Sequence, residues 1–359
     1  MFNYLRLNVK KITLYSTIIM ITMLFSTISF AQPAQYNFKV SCGDSFYGTE
    51  GYTAQRFVAG VEHLSGGKIE LKVFPDAQLG EEQETLEAIQ LGTIDIMVGS
   101  IAKLAPITKK LSLFDTPFLF KGELDQINMI FESSSELTAI TEKMLKEASE
   151  DAGFVILSLT MFGQKNAVLN VPVRLPEDFE GLKIRLQPST LHLDAWGFLG
   201  LNTTTLPWSE LYTAMQTKVV DAAELVTEEY VDCSFFEVAP YLVVTKHANH
   251  ATYIAISEKA WNSLSQPLQN IVREVAVRSA YLDSNMAMGF TLGKMDEAMK
   301  LAQEVTVFDE NTLLKMREKV LPKMLDKYRE EIGVDNLVYL AQHDQVIKKW
   351  CEEKGIEIK

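Results

Sequence analysis

The stretch from Gly181 to Glu224, GLKIRLQPSTLHLDAWGFLGLNTTTLPWSELYTAMQTKVVDAAE, constrains this chain more than any other. Leu182, Ile184 and Leu186 alternate with Lys183, Arg185 and Gln187. A period of two predicts a half-buried strand. Pro188 stops the run, and Ser189 and Thr190 can cap the helix that follows. That helix gathers Leu191, Ala195, Trp196 and Leu199 on one side and ends near Gly200. Asn202 to Thr205 reads as a turn. Pro207-Trp208-Ser209-Glu210 opens a second helix, with Ser209 as candidate cap, and Val219 to Ala223 is the next strand. The order strand–helix–helix–strand puts Arg185 at the carboxyl end of its strand. Open α/β sheets bind ligands beyond those ends, and a guanidinium there can hold a carboxylate by two parallel hydrogen bonds. The competing reading of Arg185 is an ordinary solvated arginine.

The rest of the chain repeats this alternation of strand and helix. Strands are expected at Tyr36–Val40, Ile69–Phe74, Ile94–Val98 and Phe154–Leu159. Helices are expected at Glu50–Leu64, Glu81–Leu91 and 134–149, the second with acids in its first turn, where the helix dipole favours them. Strands separated by helices imply βαβ units and a mainly parallel sheet. Two later strands, Tyr241–Thr245 and Thr252–Ile256, read as crossovers on either side of a polar loop, Lys246–His250. Ser265 to about Gln303 is helical in pattern, unusually long for a globular helix, with Gly289 and Gly293 as soft points. Its methionines Met286, Met288, Met295 and Met299 read as part of its apolar stripe. A short strand near Val305–Phe308 and helices at Glu310–Tyr328 and Leu337–Trp350 complete the chain.

Residues 1–31 have the form of a secretory signal: a basic front of Arg6, Lys10 and Lys11, an apolar run from Ile12 to Phe30, and Ser29-Phe30-Ala31 as a small-x-small cleavage site. A retained membrane anchor is the alternative. Removing 31 of 359 residues leaves 328, enough for two domains with a core each. The segment carries three bases and no acid, so the formal charge of −13 becomes −16. Such a charge argues against nucleic acid or anionic lipid as partner, but not against a small anion in a locally positive site. Cys42, Cys233 and Cys351 allow one internal disulfide at most, without fixing the pair.

Catalytic and metal motifs are weak. Ser100-Ile101-Ala102-Lys103 matches S-x-x-K, but the K-T-G and S-D-N partners of that pattern are missing from the sequence. His247 and His250 stand three apart with no further ligand at motif spacing, so no metal is expected and Lys246–His250 reads as a solvated loop between domains. There is no H-E-x-x-H, G-x-S-x-G or phosphate loop. Trp208 reads as either core or a ligand wall.

GLKIRL, LNTTTLPWSELYTAMQTKVVDAAE, QLGEEQETLEAIQLGTIDI and FDTPFLF together resemble the solute-binding proteins of TRAP transporters, over nearly the whole chain after the leader. The resemblance implies an α/β protein of two Rossmann-like lobes with a hinge and a long bracing helix, like periplasmic binding proteins. The implied lobes are 32–161 with 250–290, and 162–249 with 291–359. It implies a protein without chemistry or cofactor that closes in the periplasm on a small organic acid and hands it to a membrane permease. A secreted enzyme or a sensor subunit on the same scaffold is the alternative. In the family the arginine of the K-I-R block grips the carboxylate, here Arg185. The aromatic before S-E is a cleft wall, here Trp208, and a basic residue twenty positions upstream assists, here Lys165. The family's V-D-G-Q-E-N-P becomes Val220 to Val226, so Glu224 is kept and Leu225 replaces an asparagine that would face the ligand. Gln187, Glu82, Gln83 and Ser100 are further contacts by position.

Overall fold

The computed structural model describes residues 33–121, 127, 130, 131 and 135–358; the side chains of 132–139, 288 and 290 lie outside that set. The leader at 1–31, the first residue of the helix expected at 134–149, and the Met288 side chain fall outside the description.

The strands are β1 (Tyr36–Cys42), β2 (Ile69–Phe74), β3 (Ile96–Ser100), β4 (Phe154–Leu169), β5 (Lys183–Leu186), β6 (Asn202–Thr205), β7 (Ala222–Val226), β8 (Tyr241–Ser257) and β9 (Glu304–Val307). They form one sheet in the order β2-β1-β3-β8-β4-β7-β5-β6, with β9 also on β8. Pairs within each end are parallel, β1 with β2 and β3, and β5 with β6 and β7. The joins are antiparallel: β3 with β8, β8 with β4, and β4 with β7. The sheet is therefore mixed: among the described residues five pairings are parallel, β8 with β9 included, and three are antiparallel, because the chain crosses between its two halves on strands rather than through helices.

Those crossings are longer than the sequence suggests. β4 runs 16 residues and β8 runs 17. Lys246–His250 lies inside β8 rather than in a solvated loop, and His247 and His250 are buried. Hydropathy misleads here because the Thr245 and Lys246 amides and the His247 ring find partners inside the protein. Asn166 accepts from the Thr245 and Lys246 amides, and His247 is bonded on both ring nitrogens. The β4–β8 register slips at Phe162/Gln164 and again at Lys165/Ala167. At the Phe162/Gln164 slip Gly163 has φ +52°, and a Cβ there would sit 3.0 Å from Thr291 Oγ1. A bulge held by a glycine turns the two halves of the sheet relative to each other.

The stretch Gly181–Glu224 folds as strand, helix (Thr190–Leu199), strand, helix (Trp208–Gln216), strand. Asn202–Thr205 is strand β6, parallel to β5, not a turn; its three consecutive threonines favour extended backbone. The last strand starts at Ala222 rather than Val219, and Pro207 rather than Ser209 precedes the second helix. The expected C-terminal helix divides into Val334–Ala341 and Gln345–Glu353. Asp344 caps the latter, accepting from the Val346 and Ile347 amides.

The helix Gln266–Leu301 is 36 residues long and braces both halves. On the β1–β3 side its Asp283 meets Arg56 of helix Thr49–Leu64 at 2.6 Å. On the β5–β7 side Thr291 donates to Glu228 at 2.6 Å and Lys294 pairs with Asp232 at 2.5 Å. Its Ser284 accepts from the Met161 amide of β4 at 2.9 Å. Of its methionines, Met286 and Met299 are exposed, and Met295 packs partly buried on the β7 side. All three cysteines are free.

Candidate functional site

Arg185 is held where β5 ends, and it is not solvated: it is 2% exposed. Its Nε and one Nη donate to the Leu206 carbonyl at 3.0 and 2.8 Å. That carbonyl belongs to the turn between β6 and the helix Trp208–Gln216, so the parallel register of β5 on β6 sets the guanidinium plane. Burial lowers its pKa to about 10, with Glu224 acting in the opposite direction. One edge of the fork is thus committed to the protein.

Arg185 and Trp208 border a cavity of about 260 Å³ whose walls include Glu81, Glu82, Gln83 and Lys103 from the β1–β3 half and Pro188 and Leu206 from the β5–β7 half. Trp208 is half-buried, its ring 5.6 Å from that of Phe235. Deeper in, a second space of about 10 Å³ shares Arg185, Trp208 and Lys103 with the first. Lys165, Gln187, Glu224, Leu225 and Glu229 line it on one side and Asp44 and Glu50 on the other, with His250 of β8 between. A larger cavity of about 560 Å³ lies around Glu142, Trp261 and Arg273, away from all of these residues. It lacks converging charge from both halves, so the cleft at Arg185 is the better candidate.

Every residue the sequence singles out stands in or beside this cleft. Arg185, Trp208, Glu82 and Gln83 line the outer cavity, with Gln83 exposed at its mouth and Glu82 buried. Lys165, Gln187, Glu224 and Leu225 line the inner space. Leu225 also packs into the apolar cluster with Val168 and Leu211. Ser100 ends β3 and spans the cleft, its hydroxyl 3.4 Å from Gln187 Oε1. The Ser100 amide donates to Glu82 at 2.8 Å. Glycine at position 99 permits this approach, since a Cβ there would collide with the Glu82 carboxylate and lie 2.9 Å from the Tyr253 hydroxyl. Lys103 is paired with the other Glu82 oxygen. The S-x-x-K pair is therefore split between two acceptors and not aligned as nucleophile and base.

Behind the cleft Glu224 is the hub of a buried network. Its carboxylate receives Lys165 Nζ at 3.1 Å, His192 Nδ1 at 2.8 Å, His247 Nε2 at 2.9 Å and Trp196 Nε1 at 3.2 Å. His192 Nε2 lies 3.0 Å from Asp115, and Ser189 donates to the same carboxylate at 2.7 Å. Burial alone would raise the Glu224 carboxyl, but the His192 and Lys165 charges hold it well below its usual range. Burial likewise opposes charge on His192, yet Glu224 and then Asp115 raise its pKa to about 9. Burial lowers His247 despite its bond to Glu224. Lys165 also donates to Gln187 at 2.7 Å. The network therefore fixes the ammonium and the amide that face the cleft. His192, Glu224 and His247 offer ligand atoms within 4.8 Å of one another. A metal there would have to displace Lys165 and Trp196 from the carboxylate, so the donor set suits hydrogen bonding better than coordination.

Sequence reasoning missed Asp44, Glu50, Lys103, Glu229 and the network partners Asp115 and His192. Lys103 and His247 carried a signal, having been noticed for other chemistry. The acids carried none, since Asp44 sits in a small-residue loop and Glu50 and Glu229 in the first turns of helices, where acids are common.

Residues 48–356 match the family described as DctP, bacterial extracellular solute-binding protein, family 7. Among curated relatives, the C4-dicarboxylate-binding periplasmic protein DctP of Vibrio cholerae is 28% identical over 91% of this chain and 96% of its own length. The 2,3-diketo-L-gulonate-binding periplasmic protein YiaO of Escherichia coli is 29% identical over 68% of this chain and 72% of its own. Among solved structures, a TRAP periplasmic solute-binding protein from Sulfurospirillum deleyianum with bound succinate aligns with a TM-score of 0.73 and 26% identity, covering 88% of this chain and 98% of that one. One from Desulfovibrio salexigens with bound orotic acid gives a TM-score of 0.76 at 24% identity, over 89% and 98%, and supports the likeness of fold.

Proposed function

The chain belongs to the bacterial extracellular solute-binding proteins of family 7, and from that membership we propose that it captures a small organic acid outside the cytoplasm, by the acid's carboxylate, for a TRAP-type membrane permease. In this proposal the two lobes are 32–161 with 250–290 and 162–249 with 291–359; the β4–β8 register slip beside Phe162 and His250 supports two of the boundaries, and the third falls within the helix Gln266–Leu301. The observation that carries the reading is Arg185: a buried guanidinium with one edge fixed on the Leu206 carbonyl and the remainder bordering a cavity between the two halves. A charged group is rarely buried without a partner, and a carboxylate is the partner that matches the fork.

In this account the carboxylate sits on the free Nη edge of Arg185, Trp208 covers the ligand's apolar face, and Lys165 and Gln187 supply donors from behind. Glu82, Gln83 and Ser100 approach from the opposite lobe. Because both lobes touch the ligand only when closed, the ligand favours the closed form. The outer cavity of about 260 Å³ falls below the roughly 300–1,000 Å³ of sites for drug-sized ligands, which fits a small acid. Binding without turnover, residence in the periplasm and delivery to a permease belong to the same proposal, supported by the relatives in Vibrio cholerae and Escherichia coli, which are periplasmic binding proteins. A thermal-shift screen of organic acids on the chain from Gln32 tests it. A true ligand at 100 times its dissociation constant adds about 2.7 kcal/mol of stability. A screen in which acids and their methyl esters shift melting equally would contradict the carboxylate grip.

A further inference from the structure

The inner end of the cleft has a charge surplus that the carboxylate grip does not explain. Its three cations are already engaged: Lys103 with Glu82, Lys165 with Glu224, and Arg185 with Leu206 and, on the reading above, the ligand carboxylate. Asp44, Glu50 and Glu229 remain. Among the described residues none of these three has a cation at ion-pair distance. Glu50 accepts from the Gly43 amide at 2.7 Å. Asp44 accepts from Thr49 Oγ1 at 3.1 Å and the Glu50 amide at 3.2 Å, and Glu229 accepts weakly from the Val226 amide at 3.4 Å.

A second observation points to a missing partner in the same place. His250 is 3% exposed and lines this space, and its Nε2 has no hydrogen-bond partner. Burial, then the Lys165 and Lys103 charges, keep it well below its usual pKa, so the ring is neutral. A neutral ring leaves one nitrogen able to accept a hydrogen bond.

The acids come from both lobes, Asp44 and Glu50 from the β1–β3 side and Glu229 from the helix after β7. Bringing them together raises Glu50 well above its usual range, through burial and then Asp44, and raises Glu229 to about 8, again through burial and then Asp44. Closure therefore works against like charges unless something positive enters between them.

We propose that the ligand carries, besides the carboxylate on Arg185, a cationic nitrogen seated among Asp44, Glu50, Glu229 and His250 Nε2: an amino acid or similar zwitterion. This rests on the carboxylate reading and adds the chemistry of the ligand's far end. The inner space of about 10 Å³ admits roughly one water-sized group, which suits an ammonium head. A second carboxylate there would face the acids at close range, and a hydroxyl would leave Glu50 and Glu229 holding protons instead of pairing as carboxylates. The ammonium links the two lobes, because its N–H donors reach acids on both.

The test is titration calorimetry near pH 8 with three matched series, α,ω-amino acids, ω-hydroxy acids and α,ω-diacids of three to six carbons, together with the n-alkylamines of equal length. The proposal expects at least one amino acid to bind about tenfold or more tightly than its hydroxy analogue, and more tightly still than its diacid. Asp44→Asn with Glu229→Gln should remove that preference, weakening the amino acid about tenfold or more while leaving the hydroxy acid within about threefold. Thermal unfolding confirms that the variant is folded; Glu50→Gln, which keeps shape and hydrogen-bonding capacity, is the second variant if it is not. A diacid or hydroxy acid that binds best, equal weakening of all series in the variants, preference that vanishes on treatment with a metal chelator, or no binding by any amino acid would each overturn the proposal. The first of these leaves the carboxylate grip standing. If instead alkylamines bind as tightly as amino acids and Arg185→Ala changes nothing, the carboxylate grip itself fails.

Discussion

Glu224→Gln probes the network behind the cleft with an almost isosteric change. Four donors, Lys165 Nζ, His192 Nδ1, His247 Nε2 and Trp196 Nε1, converge on one carboxylate at 2.8–3.2 Å. A glutamine offers a single acceptor oxygen and turns an NH₂ towards donors. At least one donor loses its partner, and the Lys165 and His192 charges lose their shared counter-ion in a site with side chains 4% exposed or less. Breaking a buried pair by neutralising one member costs roughly 3–5 kcal/mol. At roughly 2 °C per kcal/mol, slightly less for a chain of this length, melting should fall by about 5–10 °C. Ligand affinity should fall as well, because Lys165 and Gln187 lose their anchoring. The His192 imidazole should titrate well below 9 by nuclear magnetic resonance, since Glu224 is the largest influence raising it. A variant that melts within about 2 °C of the parent, with unchanged affinity and an unmoved His192, would refute the hub.

Three further outcomes follow from the same geometry. His192 has a folded pKa of about 9 against 6.5, so its stabilisation is complete below pH 6.5 and disappears as pH rises through 9. That is about 3 kcal/mol in all, and the stability difference between the parent and His192→Asn should shrink by that order between pH 6 and pH 10 in denaturant titrations; a constant difference would contradict a charged imidazole. Trp208→Ala should weaken the ligand by roughly 1–2 kcal/mol, from about 40–80 Å² of apolar contact at 25 cal/mol per Å², measured by calorimetry; no loss would remove it from the wall. Gly163→Ala forces a Cβ onto a φ of +52° and against Thr291, so unfolding should come about 1–2 kcal/mol easier, and an unchanged melting curve would show that the bulge relaxes freely.

The regular part of this architecture is legible in sequence because its physics is local. KIRL and IELKVF alternate with a period of two, Glu50–Leu64 carries helical patterning up to its Ser65-Gly66-Gly67 stop, and Gln266–Leu301 opens after Ser265 with Pro267 in its first turn, so their existence follows from the residues alone. The crossing strands are not legible in the same way. Lys246, His247, Asn249 and His250 look like a loop until Asn166, 80 residues upstream, accepts from the Lys246 amide and Glu224, 23 residues upstream of His247, bonds its ring. The same holds for β6, whose threonines form a strand only because β5 lies alongside. At the site, Arg185 could be singled out by its place at a strand end and Lys165 and Trp208 by resemblance. The acids Asp44, Glu50 and Glu229 could not, because only the fold brings a loop and the first turns of two helices, from both lobes, to one point.

The central claim is that Arg185 holds the ligand's carboxylate, and calorimetry of Arg185→Ala against the acid that most stabilises the parent tests it most directly. Two bonds to Leu206 are lost in that variant, so unfolding is measured alongside, and Arg185→Lys, which keeps the charge without the fork, serves as its control. A loss of roughly 2–5 kcal/mol, or about 30- to 5,000-fold in dissociation constant, is predicted for alanine, with lysine in between. Affinity within about threefold of the parent in a folded Arg185→Ala variant would contradict the account.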